Sequence, residues 1–218
     1  MAHLEFTNPH LELGDGAKIS YYPNFISTTE ASYLFERIHS EETWEHRAIQ
    51  VFGREVLQPR LISWGGNIPY RYSGQVLPPR KLSPQLKELK AHIENQTDTV
   101  FNHVLLNYYR NGSDNMGMHS DNEPELGKNP VIAALSLGAP RRFQLKRKAA
   151  KKGEAPSTII LDHGSLLVMG GNTQHTWRHG VPKAGRLVEP RINVTFRQLL
   201  RPPPDSTHSG SPKIPPPP

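Results

Sequence analysis

In the run Met118-His119-Ser120-Asp121, two residues of metal-binding type stand two positions apart. On an extended segment a period of two turns both side chains to one face, so a distant His could complete a set of two imidazoles and one carboxylate. That facial set leaves open positions on the metal, and non-haem Fe(II) oxygenases use it. Three later histidines could close it. His163 stands in Asp162-His163-Gly164, which reads as a turn, whereas His175 and His179 lie on either side of Trp177. The residue types alone leave His175 and His179 both open.

A second pattern lies downstream, in Arg191-Ile192-Asn193-Val194-Thr195-Phe196-Arg197. As a strand it places Arg191, Asn193, Thr195 and Arg197 on one face and Ile192, Val194 and Phe196 on the other. A wholly polar strand face either lines a polar cavity or belongs to an edge strand in water. Two guanidinium groups on a cavity wall suit a small dianion, because each can hold a carboxylate through two parallel N–H bonds.

The elements that must carry these residues are legible in outline. The length of 218 residues fits one domain with a sizeable core. The chain has no cysteine, so His and carboxylate are left as transition-metal ligands. Ser27-Thr28-Thr29-Glu30 is a capping box, and Ala31, Leu34, Phe35 and Ile38 share a helical face, predicting a helix over residues 28 to 39. Ser83-Pro84 opens a second helix with Leu86, Leu89 and Ile93 as its stripe. From Phe101 onward the texture changes to short apolar or alternating runs broken by Gly, Pro, Asn and Asp: 101–109, 131–137, 142–145, 158–161, 165–169 and 191–199. The prediction is a mainly β, α+β fold, with a jelly-roll core braced by helices from the first half. Residues 201–218, rich in Pro and Ser, cannot bury enough apolar surface to offset ordering and are expected to form a disordered tail.

A formal charge of +6 and a pI near 9.6 favour polyanionic partners. The densest cation run, Arg141 to Lys152, has no acidic residue and reads as a hairpin that contacts phosphates. No run approaches the roughly 18 apolar residues of a membrane span, and the first residues show no leader pattern. The expectation is a soluble intracellular monomer, cytoplasmic in a bacterium and nuclear in a eukaryote, with no membrane contact.

Taken together, Leu106-Asn107-Tyr108-Tyr109, His119-Ser120-Asp121, the run from Leu161 to Met169, Trp177-Arg178-His179 with Val181-Pro182-Lys183, and Arg191 to Arg197 resemble the AlkB family of Fe(II) and 2-oxoglutarate-dependent alkylated-nucleic-acid dioxygenases. The match runs collinearly over residues 50–199. It implies a double-stranded β-helix with Fe(II) held by His119, Asp121 and His179, since His179 occupies the family's Trp-x-His position. It also implies that 2-oxoglutarate is held by Asn107, Tyr109, Arg191, Asn193, Thr195 and Arg197, with Arg191 on the distal carboxylate and Arg197 near the metal-chelating end.

Upstream, Val51-Phe52-Gly53-Arg54, Pro59-Arg60 and Tyr70-Arg71-Tyr72-Ser73-Gly74 resemble the family's nucleotide-recognition lid, over about residues 50–75. The resemblance makes Phe52 a wedge for the gap left by a flipped base and Tyr72 a platform that stacks the extruded base against His119. Gly53, Arg54, Arg60, Tyr70, Arg71, Asn122 and Glu123 fall on the same substrate side. Asn122 is a departure: many relatives have a second Asp there, and an amide donates as well as accepts.

The implied reaction is oxidative demethylation of N-alkylated bases, 1-methyladenine and 3-methylcytosine, in single- or double-stranded DNA or in RNA. It consumes O2 and 2-oxoglutarate and releases succinate, CO2 and formaldehyde. Two other readings fit part of the pattern: the same chemistry on a protein or small molecule, and a nucleic-acid-binding module with a vestigial metal site. The lid aromatics oppose the first, and the intact set of His119, Asp121, His179, Arg191 and Arg197 opposes the second.

Overall fold

The structure, a computed structural model, describes residues 2–4, 8–51, 54–72, 74–184 and 188–200. Phe52, Gly53, Ser73 and the tail 201–218 lie outside the described residues. Strands β1 (Ala2–His3), β2 (His10–Gly14) and β3 (Ala17–Tyr22) lead into helix α1 (Thr28–Glu41). Two short strand pairs, β4 (Ala48–Val51) with β5 (Arg54–Leu57) and β7 (Tyr70–Tyr72) with β8 (Gln75–Leu77), bracket β6 (Leu61–Gly66). Helix α2 (Pro84–Thr97) follows. Then come β9 (His103–Tyr109), β10 (Met116–His119), β11 (Ile132–Gly138), β12 (Arg141–Arg147), β13 (Ser157–Leu161) and β14 (Leu166–Gly171). A helical turn, α3 (Thr173–Thr176), separates these from β15 (Trp177–Val181) and β16 (Arg191–Arg197).

Seven strands form one sheet in the order β2-β3-β14-β11-β16-β9-β6, and five form a second in the order β1-β13-β12-β15-β10. The pairings around the site are antiparallel, and apolar residues of both sheets meet in one cluster that includes Ile19, Ile132, Leu145, Leu161, Leu167 and Trp177. This is the expected jelly roll. The helices start where their caps predict: the Glu30 N–H donates to Ser27 Oγ at 3.2 Å, and Pro84 opens α2, which ends on Asp98 at φ 46°. Their buried stripes pack on Leu106, Leu135, Val194 and Phe196 of the larger sheet. Each such aliphatic side chain removed from water contributes about 1.5–3 kcal/mol.

The central strand of the site, β16, is not an edge. It lies between β11 and β9, so its polar face looks into the space between the sheets while Ile192, Val194 and Phe196 serve the helix-side core. In register, Asn193 stands opposite Asn107 on β9, and Arg191 opposite Tyr109. The turn from β11 to β12 requires Gly138, whose φ is 89° and where a Cβ would come within 2.4 Å of the Pro190 carbonyl oxygen. No helix among the described residues is long and apolar enough to cross a membrane.

Candidate active site

β10 and β15 run antiparallel with His119 directly opposite His179, so a single register decides which imidazoles meet. The ring centroids are 4.3 Å apart. Asp121, just past the end of β10, lies beneath both, with His119 Nε2 at 3.8 Å from Oδ1 and His179 Nε2 at 4.0 Å from Oδ2. These separations are too long for hydrogen bonds. All three donor atoms lie within 4.8 Å of one another, the grouping that a metal ion would need.

Local contacts set the orientation of each group. Gly117 O can only accept, so the 2.9 Å contact with His119 Nδ1 puts the proton there and leaves the Nε2 lone pair facing Asp121. The Asp121 N–H donates to Gln174 Oε1 at 2.9 Å, and Ser120 Oγ donates to the Trp177 carbonyl at 2.8 Å, tying the segment after β10 to the neighbouring elements. Phe143, inward-facing on β12, stacks on His179 at 5.4 Å. Arg197 Nη2 lies 3.1 Å from both Asp121 oxygens.

The electrostatics keep the donors in ligand form. Burial alone would raise the Asp121 carboxyl, but Arg197 and the two imidazoles hold it down to about 2. Burial, with His119 beside it, lowers His179 to about 3, and burial lowers His119 as well against the pull of Asp121. At neutral pH the cluster is therefore one carboxylate and two neutral imidazoles.

A cavity opens beside the cluster, lined by Asn107, Tyr109, Asn193, Thr195 and Arg197 on the polar side and by Met116, Phe143, Met169 and Val181 on the apolar side. Arg191 stands one layer behind that lining. It is fully buried, donates to Ser136 Oγ at 2.9 Å and Asn193 Oδ1 at 3.0 Å, and lies against the Tyr109 ring at 5.2 Å. Among the described residues its Nε and Nη1 make no hydrogen bond of good geometry, the Tyr109 side chain lying nearby, and Nε and Nη1 of Arg197 make none either. Burying an unsatisfied guanidinium N–H is costly, so these orphaned donors mark where an anion would be received. Nitrogen and oxygen ligands without thiolate fit Fe(II), and two buried guanidinium groups with free donors fit a dicarboxylate.

On the substrate side, Tyr70 and Tyr72 are buried, Arg71 half-buried and Arg54 exposed. Arg60 is buried and fixed by Asn107, Gln58, Tyr72 and Asn115. Asn122 is exposed beside the cluster. The Glu123 carboxyl is raised, by burial first and then by the Asp121 charge. Of the other histidines, His163 accepts the Gly138 N–H and contacts Ser32 Oγ, and exposed His175 accepts the Asn129 N–H. Neither joins the cluster.

One sequence expectation needs correcting. The cation run does form a hairpin, but Arg141 is 3% exposed and donates to the carbonyls of Asn111, Asp114 and Pro182, so it braces the fold and cannot meet a phosphate. Arg147 pairs with Asp15. Gln174, Ser136 and Phe143 have positioning roles that the sequence did not single out. The alternation of β12 could have turned Phe143 inward, whereas Gln174 and Ser136 carry no local signal.

Fold and cluster together define a class, a jelly roll carrying a two-histidine, one-carboxylate metal centre. The model of the 2OG-Fe(II) oxygenase superfamily matches residues 18–197. Alpha-ketoglutarate-dependent dioxygenase alkB homolog 3 of Homo sapiens is 39% identical over 190 residues, spanning 84% of this chain and 66% of the human protein. DNA oxidative demethylase ALKBH2 of Homo sapiens is 34% identical over 190 residues, spanning 82% of this chain and 72% of that protein. The solved structure of OsALKBH1 shares the fold, with a TM-score of 0.62 over 86% of this chain and 100% of that one, at 16% identity. This chain belongs to the AlkB family of 2OG-Fe(II) oxygenases. It spans about two thirds of the length of the human alkB homolog 3.

Proposed function

We propose that this chain is an Fe(II)- and 2-oxoglutarate-dependent dioxygenase that removes N-methyl groups, as on 1-methyladenine and 3-methylcytosine, from bases in DNA or RNA. The observation that carries the reading is the His119, Asp121 and His179 cluster opening onto a cavity whose walls include the donors of Asn107 and Arg197. The name of one human relative, DNA oxidative demethylase ALKBH2, supports DNA as a substrate, and that of the other supports the 2-oxoglutarate-dependent dioxygenase chemistry. The reading takes residues 1–200 as one catalytic domain with a lid at about 50–75, acting as a monomer inside the cell.

His119, Asp121 and His179 would hold Fe(II), and Asn107, Tyr109, Asn193, Thr195, Arg197 and Arg191 would hold 2-oxoglutarate. When bound, Fe(II) and 2-oxoglutarate supply O2 activation, with the cosubstrate converted to succinate and CO2 as the N-methyl group is hydroxylated and then lost as formaldehyde. The protein's own part is positioning. The Gly117 carbonyl fixes the His119 tautomer, Gln174 fixes the Asp121 backbone, and Phe143 fixes the plane of His179. Met116, Phe143, Met169 and Val181 exclude water from one wall, which strengthens the polar contacts opposite. Asp121 and Arg197 cancel each other's charge, so of the two arginines on β16 it is Arg191 whose charge is left for the incoming dianion.

On the base side the reading uses Tyr70, Arg71, Tyr72, Asn122 and Glu123, together with Phe52, Gly53 and Arg54 of the lid. Extruding a base costs a few kcal/mol in a duplex and less in a single strand. Product analysis on matched methylated DNA and RNA oligonucleotides, single and double stranded, tests the reading. Formaldehyde and succinate in equal amounts are expected from at least one substrate, and succinate without base repair on every one of them would overturn it.

A further inference from the structure

The lid and the cavity are joined by one side chain. Arg60, 4% exposed, donates from Nε to Asn107 Oδ1 at 2.7 Å and from Nη2 to both Tyr72 Oη at 2.8 Å and Gln58 Oε1 at 2.6 Å. Nη1 donates to the Asn115 carbonyl at 3.2 Å. Gln58 is itself buried, and its carbonyl contacts His46 Nε2, so the guanidinium plane is held from several sides. Asn107 lines the cavity beside the metal cluster, whereas Tyr72 ends β7 of the lid.

A guanidinium has no acceptor, so it can face only the carbonyl end of the Asn107 amide. The NH2 end must therefore turn away from Arg60, and among the described residues it has no side-chain or backbone acceptor. Arg60 fixes which end of Asn107 an incoming carboxylate meets, and it meets a donor. The Tyr72 hydroxyl, having accepted from Arg60, keeps its own proton free to donate.

We infer that Arg60 is a positioning residue that sets the Asn107 amide for 2-oxoglutarate and ties that setting to Tyr72, so that filling the lid and filling the cosubstrate cavity are energetically coupled. This rests on the proposed function. Such coupling is reciprocal between the two ligands, and because Arg60 bonds both Tyr72 and Asn107, removing the Tyr72 hydroxyl is expected to alter cosubstrate affinity even with no nucleic acid present. A network of charge-assisted bonds transmits it more strongly than packing alone, since losing one partner leaves a buried donor unmade.

The test is 2-oxoglutarate binding by titration calorimetry, with Mn(II) in the metal site, no oxygen and no nucleic acid. It compares wild type, Tyr72→Phe, Arg60→Lys and Tyr72→Phe/Arg60→Lys. Tyr72→Phe removes one hydroxyl on the lid and is expected to weaken 2-oxoglutarate about 3- to 10-fold, the effect of one lost hydrogen bond. In the Arg60→Lys background, where one ammonium cannot hold all four partners, the same change should add less than about twofold. Thermal unfolding of each variant without ligand separates this from loss of fold, and Tyr72→Phe, the mildest change, keeps the test open if Arg60→Lys does not fold. Equal affinity in wild type and Tyr72→Phe would overturn the coupling and leave the proposed function standing. No binding by wild type itself would overturn both.

Discussion

Replacing Asp121 by Asn in the metal-free protein removes the carboxylate that Arg197 hydrogen-bonds, and leaves a guanidinium 3% exposed with Nε and Nη1 already unpartnered. The carboxyl of Asp121 lies at about 2 against an ordinary 3.8, because Arg197 and the imidazoles outweigh its burial. That difference corresponds to about 2 kcal/mol of preference for the ionised form. Since the folded value is depressed, this stability is complete above about pH 4 and is lost as pH falls through 2. At pH 7 Asp121→Asn forfeits it and strands the cation. Breaking one side of a buried pair costs about 3–5 kcal/mol. For a domain of this size the midpoint of thermal unfolding should fall by roughly 6 to 20 °C. The measurement is thermal and urea unfolding in chelator, so that metal binding cannot enter. Asp121→Asn/Arg197→Met should recover most of the loss, because both buried charges are then gone. If Asp121→Asn alone is as stable as wild type, or more so, the desolvation cost of the pair exceeds its attraction and the reasoning fails.

Three further outcomes follow from the same geometry. His179→Ala should abolish succinate formation coupled to demethylation, while His175→Ala, exposed and outside the cluster, should keep most of it; equal losses would refute the ligand assignment. His103 is lowered from 6.5 to about 3 by burial and then by Arg197, so the unfolded chain takes up a proton that the folded one refuses between those values. Stability is therefore whole above about pH 6.5 and drains as pH falls towards 3. Between pH 7.5 and 5, wild type should lose about 2 kcal/mol more than His103→Leu in urea unfolding. Lys146 and Arg178 face each other across β12 and β15, a like-charge pair suited to a phosphate. Lys146→Gln/Arg178→Gln should lower the slope of log affinity against log salt on single-stranded oligonucleotides by about 1.4, and an unchanged slope would remove these residues from the contact.

What the sequence determined on its own was whatever repeats locally. The alternation of Arg191 to Arg197 sets which side chains share a face, the Ser27 cap and the Ser83-Pro84 start mark both helices, and the motifs together carried the family resemblance and so the ligand set. Tertiary structure decided what depends on pairings between distant segments. Residue types alone did not separate His175 from His179. Strand register does, because it sets His179 opposite His119 while α3 leaves His175 in solvent. Seven cations from Arg141 to Lys152 look alike in the chain, yet the phase of β12 turns Arg141 inward to three carbonyls. The bond from Arg60 to Asn107 spans 47 positions and has no local signature, since no periodicity within either segment says which buried donor will find which buried acceptor.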